Sequence, residues 1–418
     1  MEVNFAYGST GLRVQLPTGR TTVVAPHYPP PLADPRAAVR AAVRCPVSGP
    51  PLRDRVRRGQ SVAIAICDGT RPQPRSIVVP VLLEELEGLA RPEDIVVLVA
   101  TGTHRGNTHS ELVEMLGEDV LGAVRVVNHD ARDEGALTWA GRHGKDVPVW
   151  LNSEWLAADV RVSTGFVEPH FFAGFSGGPK LVAPGLAGLE TTLTLHDAAR
   201  IGHPQARWGV TVGNPVHDDV RAIAAGTGVT FALDVALDSR HRILAAFGGD
   251  LLAMHAVACG TVMRWSMRQV AAPFDVVVTS NAGFPLDQNL YQAVKGMSAG
   301  AQVVKPGGLV ICVAECRDGF PDHGSYRSEL VAAKSVAELG EAIARRAEVV
   351  PDQWQLQIQA SIMARARVIV STRFIADEDL AAAHLEQTHD VARTVGDAGP
   401  RARVCAMPAG PMTVPYLN

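Results

Sequence analysis

The sequence is poor in most of what would mark an unusual environment. Aromatic residues make up 5% and charged residues 20% of its 418 positions, and Lys+Arg (39) nearly balance Asp+Glu (43) at a net charge of −4. Neither nucleic acid nor an anionic membrane surface is therefore an expected partner. No apolar run approaches the roughly 18 residues that a bilayer span needs. The opening "MEVNFAYGST" lacks the basic and apolar regions of a secretory signal, so a cytoplasmic location is expected. The six cysteines, Cys45, Cys67, Cys259, Cys312, Cys316 and Cys405, show neither the spacing of a zinc site nor that of a disulfide framework, which fits a reducing compartment. In "CVAEC", Cys312 and Cys316 stand one residue too far apart for a thioredoxin-type pair and read as strand-end packing residues. H-E-x-x-H is absent, so a zincin has no support.

What is present is an alternation of short β-branched runs with longer helical patterns, the signature of parallel βαβ architecture. "SVAIAIC", "DIVVLVA", "VRVVN", "DVRVSTG", "FDVVVTS", "GLVICVA" and "ARVIVST" read as strands, and "SIVVPVLLEELEGLA", "SELVEMLGE" and "LYQAVKGMSAGAQVV" as helices. The length exceeds what one core usually serves. The expectation is two α/β domains with mainly parallel, Rossmann-like sheets and the active site between them. The proposed division is 1–269, 270–402 and a Pro/Gly-rich tail, 403–418, able to pack back on the N-terminal domain.

Polar chemistry collects where the strand runs end, which is where ligands bind in open α/β sheets. "CDGTRPQP" places Asp68 and Arg71 three apart in a loop whose prolines exclude an α-helix. An arginine there can grip a carboxylate or phosphate, although on this motif alone an Asp-Gly turn with a surface ion pair is slightly the better account. "ATGTHRG" sets His104 directly after a strand, as a general base or as a structural histidine. "EPHFFAGFSGGPK" spans His170 to Lys180 with three phenylalanines, three glycines and a serine between them. It lacks the residues of a P-loop on both sides of the lysine, yet the backbone N–H groups of Ser176, Gly177 and Gly178 can cradle an anion at a turn that Pro179 starts. His196 and His203, seven apart, fall on nearly one face if a helix is continuous between them. Gln292 and Lys295 project from one side of a short helix, and Trp354 can serve as a packing anchor.

In this order, "DGTR", "TGTHR", "EPHFFAGFSGGPK", His196, "YQAVK" and Trp354 resemble the lactate racemase family of nickel-pincer nucleotide enzymes, over about residues 68 to 354. The resemblance implies a 2-hydroxy acid racemase that moves the α-hydrogen as hydride to the cofactor and back to the other face, with a 2-oxo acid held in between. It implies a covalent link from the cofactor to Lys180, nickel ligation by His196, and His104 and His170 as the two opposed acid/bases. Asp68, Gly69, Thr70, Arg71, Ser176, Gly177 and Gly178 would hold the nucleotide. Arg71, Gln292, Lys295, Tyr291 and Trp354 would meet the substrate, with Phe171 and Phe172 as an apolar wall and Arg75 or Arg105 as a spare cation for a second carboxylate. The implied partners are a small 2-hydroxy carboxylate and the proteins that make the cofactor. A sugar-acid epimerase with the same cofactor, a non-catalytic nucleotide- or metabolite-binding protein, and a zinc hydrolase are the rival readings.

Overall fold

A computed structural model describes residues 1–321 and 324–417. Each of the seven apolar runs forms a strand with at least one parallel neighbour. Val62–Cys67 is buried along its whole length, as a parallel strand covered on both faces must be. Each fully buried Val or Ile of such a strand contributes about 1.5–3 kcal/mol through burial. Val78, Val79 and Leu82 of the Arg75–Leu86 helix share a core cluster with Ile64 and Ile66. No helix among the described residues is long and apolar enough to cross a membrane.

The chain divides into two compact units. The first comprises Tyr28–Leu195 and Gly209–Val262. Its sheet has the order Ile243–Gly249, Phe231–Leu237, Val160–Phe166, Val62–Cys67, Ile95–Ala100, Arg125–Asn128. Only the Ile243–Gly249 edge is antiparallel. Strand order reverses between Val62–Cys67 and Val160–Phe166, so the crevice beyond their carboxyl ends receives both the "DGTR" loop and the segment leading to Lys180.

The second unit comprises Met1–His27, His196–Trp208 and Met263–Asn418. Its all-parallel sheet runs Glu386–Gln387, Arg367–Ser371, Val304–Val313, Phe274–Ser280, Val404–Met407, Thr21–Val23. The expected break near residue 270 falls close to Met263, but both the first 27 residues and the 196–208 segment belong with the C-terminal part. The tail also differs from expectation. Val404–Met407 pairs with Phe274–Ser280, and Val414–Tyr416 with Met267–Gln269, so the tail completes the second unit. Cys312 and Cys316 are fully buried at the end of Val304–Val313, as packing residues should be.

Candidate active site

Asp68 follows the Val62–Cys67 strand and is 3% exposed. Its Oδ1 accepts from the Thr70 N–H (3.1 Å) and hydroxyl (2.6 Å), and its Oδ2 lies 2.6 Å from His104 Nδ1. Burial pushes the carboxyl up, but the hydrogen bond and charge of His104, with Arg71 and Thr70, outweigh it and hold Asp68 below the usual carboxylate range. An ionised carboxylate only accepts, so the neutral His104 ring carries its proton on Nδ1 and presents a bare Nε2 lone pair. This is the orientation a general base needs, fixed by a third group. The sequence pointed Asp68 toward a nucleotide or Arg71; the structure joins it to His104.

Gln73 holds this loop against both central strands. Its Oε1 accepts from Cys67 N–H, and its Nε2 donates to Thr164 Oγ1, each at 2.8 Å. Asp68, Gly69, Thr70 and His104 open on a cavity of about 380 Å³ that Arg75 and Asn107 help to wall. Arg75 is 6% exposed, donates from Nη1 to Arg71 O, and its Nε has no partner among the described residues. Arg105, one of the two spare cations, is already forked onto Glu111 at 2.9 and 2.6 Å.

In the segment from His170 to Lys180, the Ala173 N–H donates to His170 Nδ1 at 3.2 Å. The neutral His170 ring therefore keeps its proton on Nε2, and adding one at Nδ1 breaks this bond. Phe171 and Phe172 are buried and pack on the imidazole, with ring centroids 4.9 and 4.5 Å away, so the expected apolar wall is wrapped around His170 itself. Lys180 Nζ lies 5.6 Å from the centre of the Phe172 ring.

The expected anion cradle is not formed. The Ser176 N–H donates to Glu168 O at 2.9 Å and the Gly178 N–H to Asp234 Oδ2 at 2.7 Å. The Ser176 hydroxyl donates to Phe166 O at 3.0 Å. Gly177 (φ 72°) and Gly178 (φ 51°) supply the left-handed turn into a short 3₁₀ helix, Gly178–Leu181. Two of the three candidate N–H groups are thus spent on the protein itself, and these residues shape the Lys180 turn.

In the second unit, His196 is 8% exposed, its ring centroid 4.7 Å from that of Trp354. Trp354 Nε1 donates to Tyr291 Oη at 3.2 Å. His196 and His203 do not share a helical face. Helix Leu189–Leu195 ends before His196, and Asp197 starts a new one by accepting from Arg200 N–H at 2.7 Å. Gln292 and Lys295 lie three apart on helix Leu290–Ala301, as expected. Gly296 lets that helix approach the sheet, since a Cβ there would stand 2.3 Å from Ser280 O.

Residues 7–209 match the model of the lactate racemase N-terminal domain and residues 269–410 that of the C-terminal domain. A lactate racemase of Thermoanaerobacterium thermosaccharolyticum is 38% identical over 328 residues, 78% of this chain and 77% of that one. This chain belongs to the lactate racemase family. A second relative, a lactate racemase of Lactiplantibacillus plantarum, is 36% identical over 374 residues, 87% of each chain. The solved apoprotein of the T. thermosaccharolyticum lactate racemase superposes with a TM-score of 0.94 at 32% identity, covering 99% of this chain and 100% of that one. A Thermotoga maritima protein shares the fold at a TM-score of 0.69 and 18% identity, covering 94% of this chain and 100% of that one. Membership of the lactate racemase family makes the chain an isomerase, of the racemase kind.

Each unit, taken by itself, offers groups that a nucleotide carrying nickel would use. The cavity beside Asp68 and His104 has the size of a small-molecule pocket. The unpartnered Arg75 Nε is a buried cationic donor on its wall. His196 offers imidazole, a donor that nickel accepts readily.

Proposed function

We propose that this chain racemises lactate, or a 2-hydroxy monocarboxylate of similar size, with a nickel-pincer nucleotide tethered to Lys180. The observation that carries the reading is the likeness to the lactate racemase apoprotein over 99% of this chain. The α-hydrogen beside an ionised carboxylate is very weakly acidic, and no side chain of the 20 types accepts hydride. When bound, the cofactor supplies the hydride acceptor that the chain lacks.

The chain's own groups then handle the proton and the carboxylate. His104 takes the substrate hydroxyl proton at Nε2, and ionised Asp68 stabilises the imidazolium through Nδ1. His170 serves the opposite enantiomer by accepting at Nδ1, the unprotonated nitrogen of its neutral ring, once the bond from Ala173 N–H is released. Its imidazolium forgoes the bond from Ala173 N–H, so protonation there is opposed by about 0.5–1.5 kcal/mol. The Arg71 guanidinium is suited to hold the substrate carboxylate. Arg105 is occupied by Glu111, which leaves Arg75 as the spare cation for a second carboxylate. The cofactor comes from separate biosynthetic proteins.

The test is to coexpress the chain with those proteins, add single enantiomers of lactate, malate and a polyhydroxy acid in turn, and follow optical inversion. Lactate should invert fastest; turnover of the polyhydroxy acid alone would make the enzyme a sugar-acid epimerase. A second measurement addresses the metal. The His196→Ala protein should keep the covalent adduct but retain at least about tenfold less nickel per chain after desalting, and undiminished nickel would remove His196 from the ligand set.

A further inference from the structure

The backbone between His170 and Lys180 is gripped at four points by side chains from elsewhere in the first unit. Asn214 Nδ2 donates to Phe172 O at 2.8 Å, His217 Nδ1 to Ala173 O at 3.0 Å and His255 Nε2 to Ser176 O at 2.8 Å. Asp234 Oδ2 accepts from the Gly178 N–H at 2.7 Å. Exposure of these four residues is 0, 1, 3 and 0% for Asn214, His217, His255 and Asp234 respectively. Burying a polar side chain is unfavourable unless it is bonded. Four such groups converging on one loop are more than a connection between strand and helix requires.

The chemistry of the four is consistent. The His217 and His255 rings stack at 5.5 Å with 15° between their planes. Burial pushes His217 down to about 3 and His255 to about 4, so both are neutral near pH 7, and each spends its one N–H on a loop carbonyl. Burial pushes Asp234 up to about 7, and the Gly178 and Gly165 N–H groups act against that rise. Contact with the turn is close. A Cβ on Gly178 would stand 2.4 Å from His255 Cγ, and one on Gly177 2.8 Å from Asp234 Oδ2.

We propose that Asn214, His217, Asp234 and His255 form a buried positioning frame that fixes the backbone from Phe172 to Gly178, and with it the spacing between the acid/base His170 and the cofactor-bearing Lys180. None of the four side chains is among the substrate- or cofactor-holding groups named above, and the purpose of the frame rests on the roles given above to His170 and Lys180. It sets where two reactive side chains leave the backbone, and errors of about 1 Å in such settings cost on the order of 100-fold in rate.

The test uses paired substitutions in the full chain. His255→Leu fills the space without a donor, whereas His255→Gln keeps an N–H near the position of Nε2. His217→Leu and His217→Asn form the matching pair for Nδ1. Two quantities are read, the fraction of chains carrying the Lys180 adduct by intact mass and the amide exchange of the 172–181 segment, alongside thermal unfolding to confirm a folded chain. The leucine variants should fold cooperatively, lose at least tenfold in adduct and exchange faster across 172–181, with Gln and Asn restoring both. Leucine variants with wild-type adduct and exchange would overturn the frame, as would Gln and Asn variants no better than leucine. Absence of adduct on the wild-type chain itself would instead refute the tether at Lys180; the exchange comparison then decides alone, accelerated exchange in the leucine variants supporting the frame and unchanged exchange overturning it.

Discussion

Lys180→Ala protein, coproduced with the cofactor-making proteins, should carry only the mass of its own sequence and should racemise nothing, a loss of at least about 10³-fold if nucleophilic tethering is what the lysine provides. The fold should hardly notice. The Lys180 N–H bonds to Gly177 O at 3.2 Å and its carbonyl accepts from Gly185 N–H at 3.0 Å, so the backbone turn does not depend on the side chain. The side chain makes a contact with the Phe172 ring, worth about 0.5–2 kcal/mol depending on how far it is desolvated. Intact mass, optical inversion and thermal unfolding on one preparation separate the two effects. Lys180→Arg keeps the positive charge and the ring contact but cannot form the same amide-type link, and it too should emerge unmodified. A modified Lys180→Ala chain would place the attachment elsewhere.

His104→Ala and His170→Ala should each lower inversion by about 10²–10⁴-fold, the usual contribution of a positioned acid or base, while the adduct mass stays. Asp68→Asn should cost up to about 10⁴-fold, because an amide that donates to Nδ1 puts the His104 proton on Nε2 and removes the base. His104 is supported by an ionised partner at 2.6 Å and His170 by a backbone N–H that opposes its protonation. Full activity in Asp68→Asn would remove the carboxylate from the support of His104, and full activity in either histidine variant would remove that residue from the pair.

The seven strands were legible because buried parallel strands are continuous β-branched runs, and their ends marked the polar loops. Phe231–Leu237 escaped notice for a reason tied to function. "FALDVAL" is interrupted by Asp234, a lone carboxylate in an apolar run, and its partner is the Gly178 N–H far away in the chain. His217 and His255 likewise give no local signal, since each is defined by a carbonyl of another segment, whereas Asn214 before Pro215 reads as a helix N-cap and only its bond to Phe172 O is hidden. The failed anion cradle shows the opposite limit. "SGGPK" permits a turn with free N–H groups, but composition cannot say that Glu168 O and Asp234 already take two of them. The seven-residue interval between His196 and His203 misled because Asp197 can begin a helix, and a period read across such a residue has no meaning.

The pairing of Thr21–Val23 with Val404–Met407 bears on how the chain is made. Every strand of the first unit's six-stranded sheet has been synthesised by Gly249, so the unit that holds Lys180 can assemble while the ribosome is still at work. The opening segment must wait for a partner near the other end. At about 5–20 residues per second the interval from Gly249 to Val404 lasts on the order of 10 s. During that time the early strand is an unpaired edge, and its three-residue length keeps it a poor template for association with other nascent chains.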